Sequence, residues 1–143
     1  MASETWIQPD KVQAYLATDY RIDAQPEPIT LKIGVRSDAL AALLKAHGAN
    51  CGAFLTAFNP FGTAQSDAAN AKAHARLQDE LFARGALTFE GEGADPTGMW
   101  PPEPSIFATG LPLADARQLG EMFHQDAIVW VGFDAVPQLV LLR

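Results

Sequence analysis

The chain is 143 residues long, 48% hydrophobic and only 19% charged, which excludes a disordered polypeptide and suits one globular domain with a sizeable core. Ten basic residues against 17 acidic ones give a net charge of −7, a balance that opposes binding to nucleic acid or to anionic membranes. Cys51 is the only cysteine, so no intramolecular disulfide forms. The acidity is uneven: residues 85–143 hold only Arg117 and Arg143 against eight acids. Residues Met1–Trp6 lack the basic and apolar regions of a signal peptide, and no stretch approaches the ~18 apolar residues of a membrane span. The expected compartment is the cytoplasm.

Pro9 opens a short helical pattern in which Val12, Tyr15, Leu16 and Asp19 share one stripe. Tyr20–Asp23 and Ile29–Ile33 then read as a hairpin that keeps Pro26 and Pro28 in its turn. Ser37 caps a helix using Leu40, Leu43, Leu44 and His47, and Gly48 stops it. Cys51–Phe58 is apolar on both faces, as suits a central strand covered on both sides.

After the turn Asn59-Pro60-Phe61-Gly62, Ser66 caps the longest helix, Asp67 to Arg84, and Gly85 ends it. Ala86–Glu90 reads as a strand. The next fourteen residues, Gly91 to Pro104, carry three glycines and four prolines without periodicity and read as a loop. Ser105–Thr109 resumes as a strand. Pro112–Phe123 is a helix in which Gly120 permits close approach to a sheet, and Ala127–Gly132 with Gln138–Leu142 form a closing hairpin. No repeat or linker divides the chain, so residues 1–143 read as one domain. The expected class is α/β, with α+β as the alternative: a mixed sheet of six or seven strands carrying about four helices.

Several signatures of chemistry are missing. There is no phosphate loop, no H-E-x-x-H and no G-x-S-x-G, and Gly91-Glu92-Gly93 meets Pro96 where a dinucleotide fingerprint needs glycine. His47, His74 and His124 are scattered, and Cys51 opens an apolar strand as an inert thiol would. No cofactor and no transition metal are expected. The acidic run Glu90, Glu92, Asp95 and Glu103 either holds a hard cation or is a solvated loop, and the latter is favoured because calcium-loop spacing is absent.

The informative residues lie where the central strand ends. Thr56 and Asn59 fall at the carboxyl edge of the sheet, where crevices form in open α/β folds. Asn70 lies two helical turns before Leu77 and shares its inward stripe. Either Asn59 and Asn70 read a ligand, or they satisfy loop backbone groups. In Trp100-Pro101-Pro102-Glu103-Pro104-Ser105 the prolines hold the backbone extended, so Glu103 departs from a stiff support. Glu103 either serves a ligand or accepts hydrogen bonds from nearby amides.

Taken together, Ala53–Pro60, Asn70, Gly91–Pro96, Trp100–Ser105, Gln125 with Ala127–Trp130, and Asp134–Pro137 through Leu139–Arg143 resemble a bacterial family, domain of unknown function 3293. The chain departs from that pattern at Phe58, where the family favours Trp, and over Met122–Asp126, where it favours a basic-Phe-Gly-Gln-Asn stretch. The resemblance brings no established activity.

These observations predict a site for a small polar molecule at the sheet edge, with or without turnover. In it Thr56, Asn59, Asn70, Ser105 and Gln125 make polar contacts, Trp100 covers the ligand, and Glu103 is the general base or acceptor. The competing expectation is a protein-interaction module using the acidic Gly91–Ser105 loop and Trp100. No nucleic acid or membrane is expected as a partner.

Overall fold

A computed structural model describes residues 5–143. The expectation about the N-terminal leader rests partly on residues 1–4, which lie outside that range. Among the described residues no helix is long and apolar enough to cross a membrane.

The elements in chain order are α1 (Pro9–Ala17), β1 (Asp19–Ile22), β2 (Ile29–Leu31), α2 (Asp38–Ala46), β3 (Gly52–Leu55), α3 (Asp67–Ala83), β4 (Leu87–Ala94), β5 (Glu103–Thr109), α4 (Leu113–Met122), β6 (Ala127–Val131) and β7 (Pro137–Leu141). Local signals place the helix starts. The Ser37 hydroxyl accepts from Leu40 N and that of Ser66 from Ala69 N, both at 3.1 Å, so each helix begins where its serine stands.

The seven strands form one sheet in the order β2-β1-β4-β5-β3-β6-β7, and every pairing is antiparallel. With four helices packed on it, this is a single mixed α/β domain. β3 pairs with β5 and β6, and its residues divide between two cores. Ala53 and Leu55 join Ile106, Ile128 and the inner faces of α3 and α4. Phe54 joins Tyr20, Ile22, Phe107, Val129 and α2 on the other face. That is the two-sided burial its uninterrupted apolar run implies. A Cβ on Gly120 would stand 2.8 Å from Ile128 Cγ2, so α4 sits as close to the sheet as its glycine allows.

Several boundaries differ from the sequence reading, and those at the ends of β3 and β4 and the start of β5 bear on the site. β3 stops at Leu55 instead of Phe58, because the Thr56 hydroxyl donates to Pro104 O (2.9 Å) and accepts from Phe58 N (3.1 Å), replacing ladder bonds with side-chain bonds. β4 and β5 run on into the supposed fourteen-residue loop and leave only residues 95–102 irregular. Glycine composition hid this extension. Gly91 pairs with both Ile22 and Ser105, and Gly93 with both Tyr20 and Glu103. A Cβ on Gly91 would lie 2.3 Å from Arg21 O and 3.1 Å from the Phe54 ring, so only glycine lets the strands and that ring close up. At Gly93 the nearest atom to such a Cβ is Thr18 Cγ2, at 3.7 Å.

The contrast gives a first prediction. Gly91→Ala should lower stability by about 2–3 kcal/mol through forced displacement of packed backbone. Gly93→Ala should fall within about 1 kcal/mol of the parent. Urea denaturation of both variants checks this, and equal stabilities would contradict it.

Candidate functional site

Antiparallel pairing brings five strand ends to one place. β3 and β4 finish where β1, β5 and β6 begin, so Thr56, Gly93, Tyr20, Glu103 and Asp126 converge although they are far apart in sequence. α1 lies across this end of the sheet. Between α1 and the sheet is a cavity of about 270 Å³, lined by Lys11, Tyr15, Phe54, Asn59, Trp100 and Glu103 among others.

Its frame begins with the turn after β3. Asn59 (φ 48°) and Phe61 (φ 53°) both adopt the left-handed region, which Asn tolerates and Phe rarely does. Asn70 holds the turn from below. Its Oδ1 accepts from Asn59 N (2.9 Å) and Gln65 Nε2 (2.7 Å), while its Nδ2 donates to Asn59 Oδ1 (3.0 Å). The Asn59 side chain in turn accepts from Gln65 N at 3.2 Å and extends Nδ2 toward Glu103 Oε2 at 3.4 Å. Asn70 is therefore buried (4% exposed) behind the turn and is not part of the cavity wall.

Gln125 performs a similar task from the β6 side, its Nε2 donating to Phe58 O (3.0 Å) and Phe123 O (3.2 Å). Ser105 is buried, and its hydroxyl donates to Glu103 O at 3.0 Å. The amides and hydroxyls expected to read a ligand thus mostly satisfy the frame, leaving the Gln125 Oε1 as that residue's group for a visitor. Trp100 lies at the cavity mouth and remains 63% exposed.

Glu103 is the group least committed to the frame. Burial pushes its carboxyl above the ordinary range, and the Asn59 amide, the nearby Thr56 hydroxyl and the Lys11 charge offset this only in part. Thr56 lies within reach of the carboxylate, but its single proton goes to Pro104 O in this arrangement. One bond of 3.4 Å leaves most of the roughly four acceptor positions of a carboxylate open.

Sequence reasoning missed three residues of the site. Asp126, 4% exposed, pairs with Lys11 from α1 and with Arg143 Nη1 at 2.8 Å. Burial alone would raise its pKa, but the bonds and charges of Lys11 and Arg143 outweigh that and hold it below the usual range. Tyr15, four residues after Lys11 and on the same helical face, has its phenol pushed up by burial and then by the Asp126 and Glu103 charges. Arg143 also lies over the Phe61 ring, 4.1 Å from its centroid. The available signals were the i, i+4 spacing of Lys11 and Tyr15 and the acid standing just before an apolar strand.

The acidic run disperses. Glu90 bonds His74 Nε2 (2.9 Å) and Gln78 Nε2 (2.8 Å), Glu92 faces Arg21 at 3.7 Å, and Asp95 accepts from Thr97 and Met99 in its own loop. Among the described residues no three His, Cys, Asp or Glu side chains gather as metal ligands. Burial raises the Cys51 thiol, which lies 3.5 Å from Leu111 O.

Fold and site define an antiparallel-sheet α/β domain with a partly aromatic cavity at one sheet end. The chain matches the family model described as "Protein of unknown function (DUF3293)" over residues 55–128, just over half its length, and belongs to that family. No curated protein and no solved structure matches it. The matched segment holds Thr56, Asn59, Asn70, Trp100, Glu103, Ser105, Gln125 and Asp126, whereas Lys11 and Tyr15 lie before it.

Two predictions follow from the frame. Asn70→Leu should cost about 1–3 kcal/mol, because the Asn59 amide and the Gln65 side chain lose their acceptor; equilibrium urea melts measure it, and an unchanged midpoint would show that the turn does not need Asn70. Asp126→Asn should cost about 1–3 kcal/mol at pH 7, because the bonds of Lys11 and Arg143 lose their charged acceptor. Since the folded pKa of Asp126 is lowered, its contribution is present above the unfolded value of about 3.9 and is lost as pH falls through the folded one. The deficit of the variant should therefore shrink in melts taken below about pH 4.

Proposed function

We propose that this domain binds a small polar molecule in the cavity at the sheet end, with Glu103 as the residue that engages it. The observation carrying this reading is a half-buried carboxylate inside the cavity whose acceptor positions are mostly open. Rigid backing supports it. The carboxylate departs from a strand start flanked by Pro102 and Pro104, and its neighbour Asn59 is fixed by the Asn70 network. The left-handed Phe61 beside it is a further support, since such strain persists where the surroundings over-determine it and clusters at functional sites. Gln125 supplies a second acceptor, and Thr56 and Ser105 line the wall. Asn70 acts by positioning Asn59.

A carboxyl raised above its ordinary range is a better proton acceptor than a free one, so Glu103 is the residue for a general-base role if the ligand is turned over. A second reading has its own observation. Met99 (77% exposed) and Trp100 stand out together on the 95–102 loop, as a protein-binding patch would. Trp100→Ala separates the two. It weakens small-molecule binding if the indole covers the ligand, and leaves it intact if the indole serves a protein.

Glu103→Gln tests the first reading. Because the folded pKa of Glu103 is raised, its stabilising contribution is complete below the unfolded value of about 4.3 and is lost as pH rises through the folded one. The Gln variant should accordingly melt at or above the parent at pH 7, with the gap closing as pH falls toward 4. In a thermal-shift screen of small polar compounds, those stabilising the parent should bind the variant about tenfold or more weakly. A variant that responds equally to every such compound would contradict the assignment.

A further inference from the structure

The balance of charge inside the cavity says which kind of molecule it takes. Its lining includes three carboxylates, Asp95, Glu103 and Asp126, and one cation, Lys11. Lys11 is bound to Asp126, and Arg143, reaching in from the chain's last position, is bound to the same carboxylate. Asp95 is occupied by Thr97 and the amide of Met99. Among the described residues, that leaves Glu103 facing the cavity without a cation in contact, receiving only the long Asn59 bond. A half-buried carboxylate in that condition favours an incoming positive charge and repels an anion.

The walls favour the same charge. Tyr15, Tyr20, Phe54, Phe58 and Trp100 all line the cavity, and aromatic faces attract cations through their quadrupoles, most strongly when water is displaced. Tyr20 and Phe54 are fixed edge to face, with centroids 5.3 Å apart, and Phe54 is seated by the missing side chain of Gly91. A volume of about 270 Å³ lies just under the usual range of about 300–1,000 Å³ for ligand pockets, which limits the occupant to a small molecule.

We infer that the cavity takes a small organic ammonium ion, an amine carried on an apolar or aromatic body, with its charge on the Glu103 carboxylate and its body against Phe54, Tyr20 and Trp100. This rests on the reading of the cavity as a ligand site, and the test distinguishes the failure of one from the failure of the other. Three probes of nearly the same shape differ in charge: benzylamine, benzyl alcohol and benzoate. Each is titrated into the full chain at pH 7 and fixed ionic strength while ¹H–¹⁵N spectra follow the amides of Gly93 and Ser105 and the Trp100 indole.

Benzylamine should shift these signals with an affinity about tenfold or more above that of benzyl alcohol, and benzoate should leave them in place. Glu103→Gln should bring benzylamine down to the level of benzyl alcohol, with Glu103→Asp retaining part of the preference. Benzyl alcohol or benzoate binding as tightly as the amine would overturn the cationic class and leave the ligand site standing. If none of the three moves these signals, the ligand site and the inference both fall. An amine preference that survives in Glu103→Gln would remove the charge from Glu103. The comparison of probes on the unmodified chain decides the class even if a variant folds poorly.

Discussion

Asp126 carries a charge that is almost wholly out of water, and the arrangement around it follows from keeping that charge paired. A buried carboxylate left alone would take up a proton or destabilise the fold by several kcal/mol. Here two cations from opposite ends of the chain reach it, Lys11 from α1 and Arg143 from the last residue. The consequence for α1 is large, because that helix has no buried residue of its own. Val12, Ala14 and Tyr15 of this helix are only half-buried, and polar anchors add to their contacts: Lys11 on Asp126, the Tyr20 hydroxyl on Tyr15 O (2.7 Å) and Lys32 Nζ on Ala17 O (2.8 Å). The cavity lies between this helix and the sheet end.

The antiparallel sheet supplies the other half of the site. Each strand end is close to a neighbour's start, so one edge collects residues from five separate stretches of chain. Gly93, paired with Glu103, adds no side chain to the cavity wall, while the proline-bound start of β5 and the Asn59–Asn70 pair keep the carboxylate in place. The polar groups divide accordingly. Most amides and hydroxyls are satisfied by backbone and hold the frame, and Glu103 retains its open positions.

This division explains what the sequence made legible. Ser37 and Ser66 mark their helices because a cap is a local hydrogen bond, and the Leu77 stripe places Asn70 inward because helical period fixes facing. Hairpins at both ends follow from apolar runs around turn residues. Strand order does not, since it depends on which ends pair across the sheet. The extension of β4 was hidden by Gly91 and Gly93, of which Gly91 serves steric accommodation of Arg21 O and Phe54 rather than flexibility. Glu103 stood out because proline restricts its neighbours locally. Lys11, Tyr15 and Asp126 went unassigned because their local signals are weak and the ion pair joining Lys11 to Asp126 spans 115 residues. The acidic run shows the converse. Its members are close in sequence yet point to His74, Arg21, their own loop and the cavity.

The central claim is that α1 is held over the cavity by polar anchors, of which Lys11 on Asp126 is the deepest. Native-state hydrogen exchange on Lys11→Met tests it most directly, because the substitution removes the anchor from the helix side and leaves Asp126 its bond to Arg143. Amides from Gln13 to Ala17 should exchange about tenfold or more faster, while those of β3 and β5 keep their protection. Unchanged protection of α1 would show that the ion pair does not hold the helix, and an equal loss throughout the sheet would show that it supports the whole fold instead.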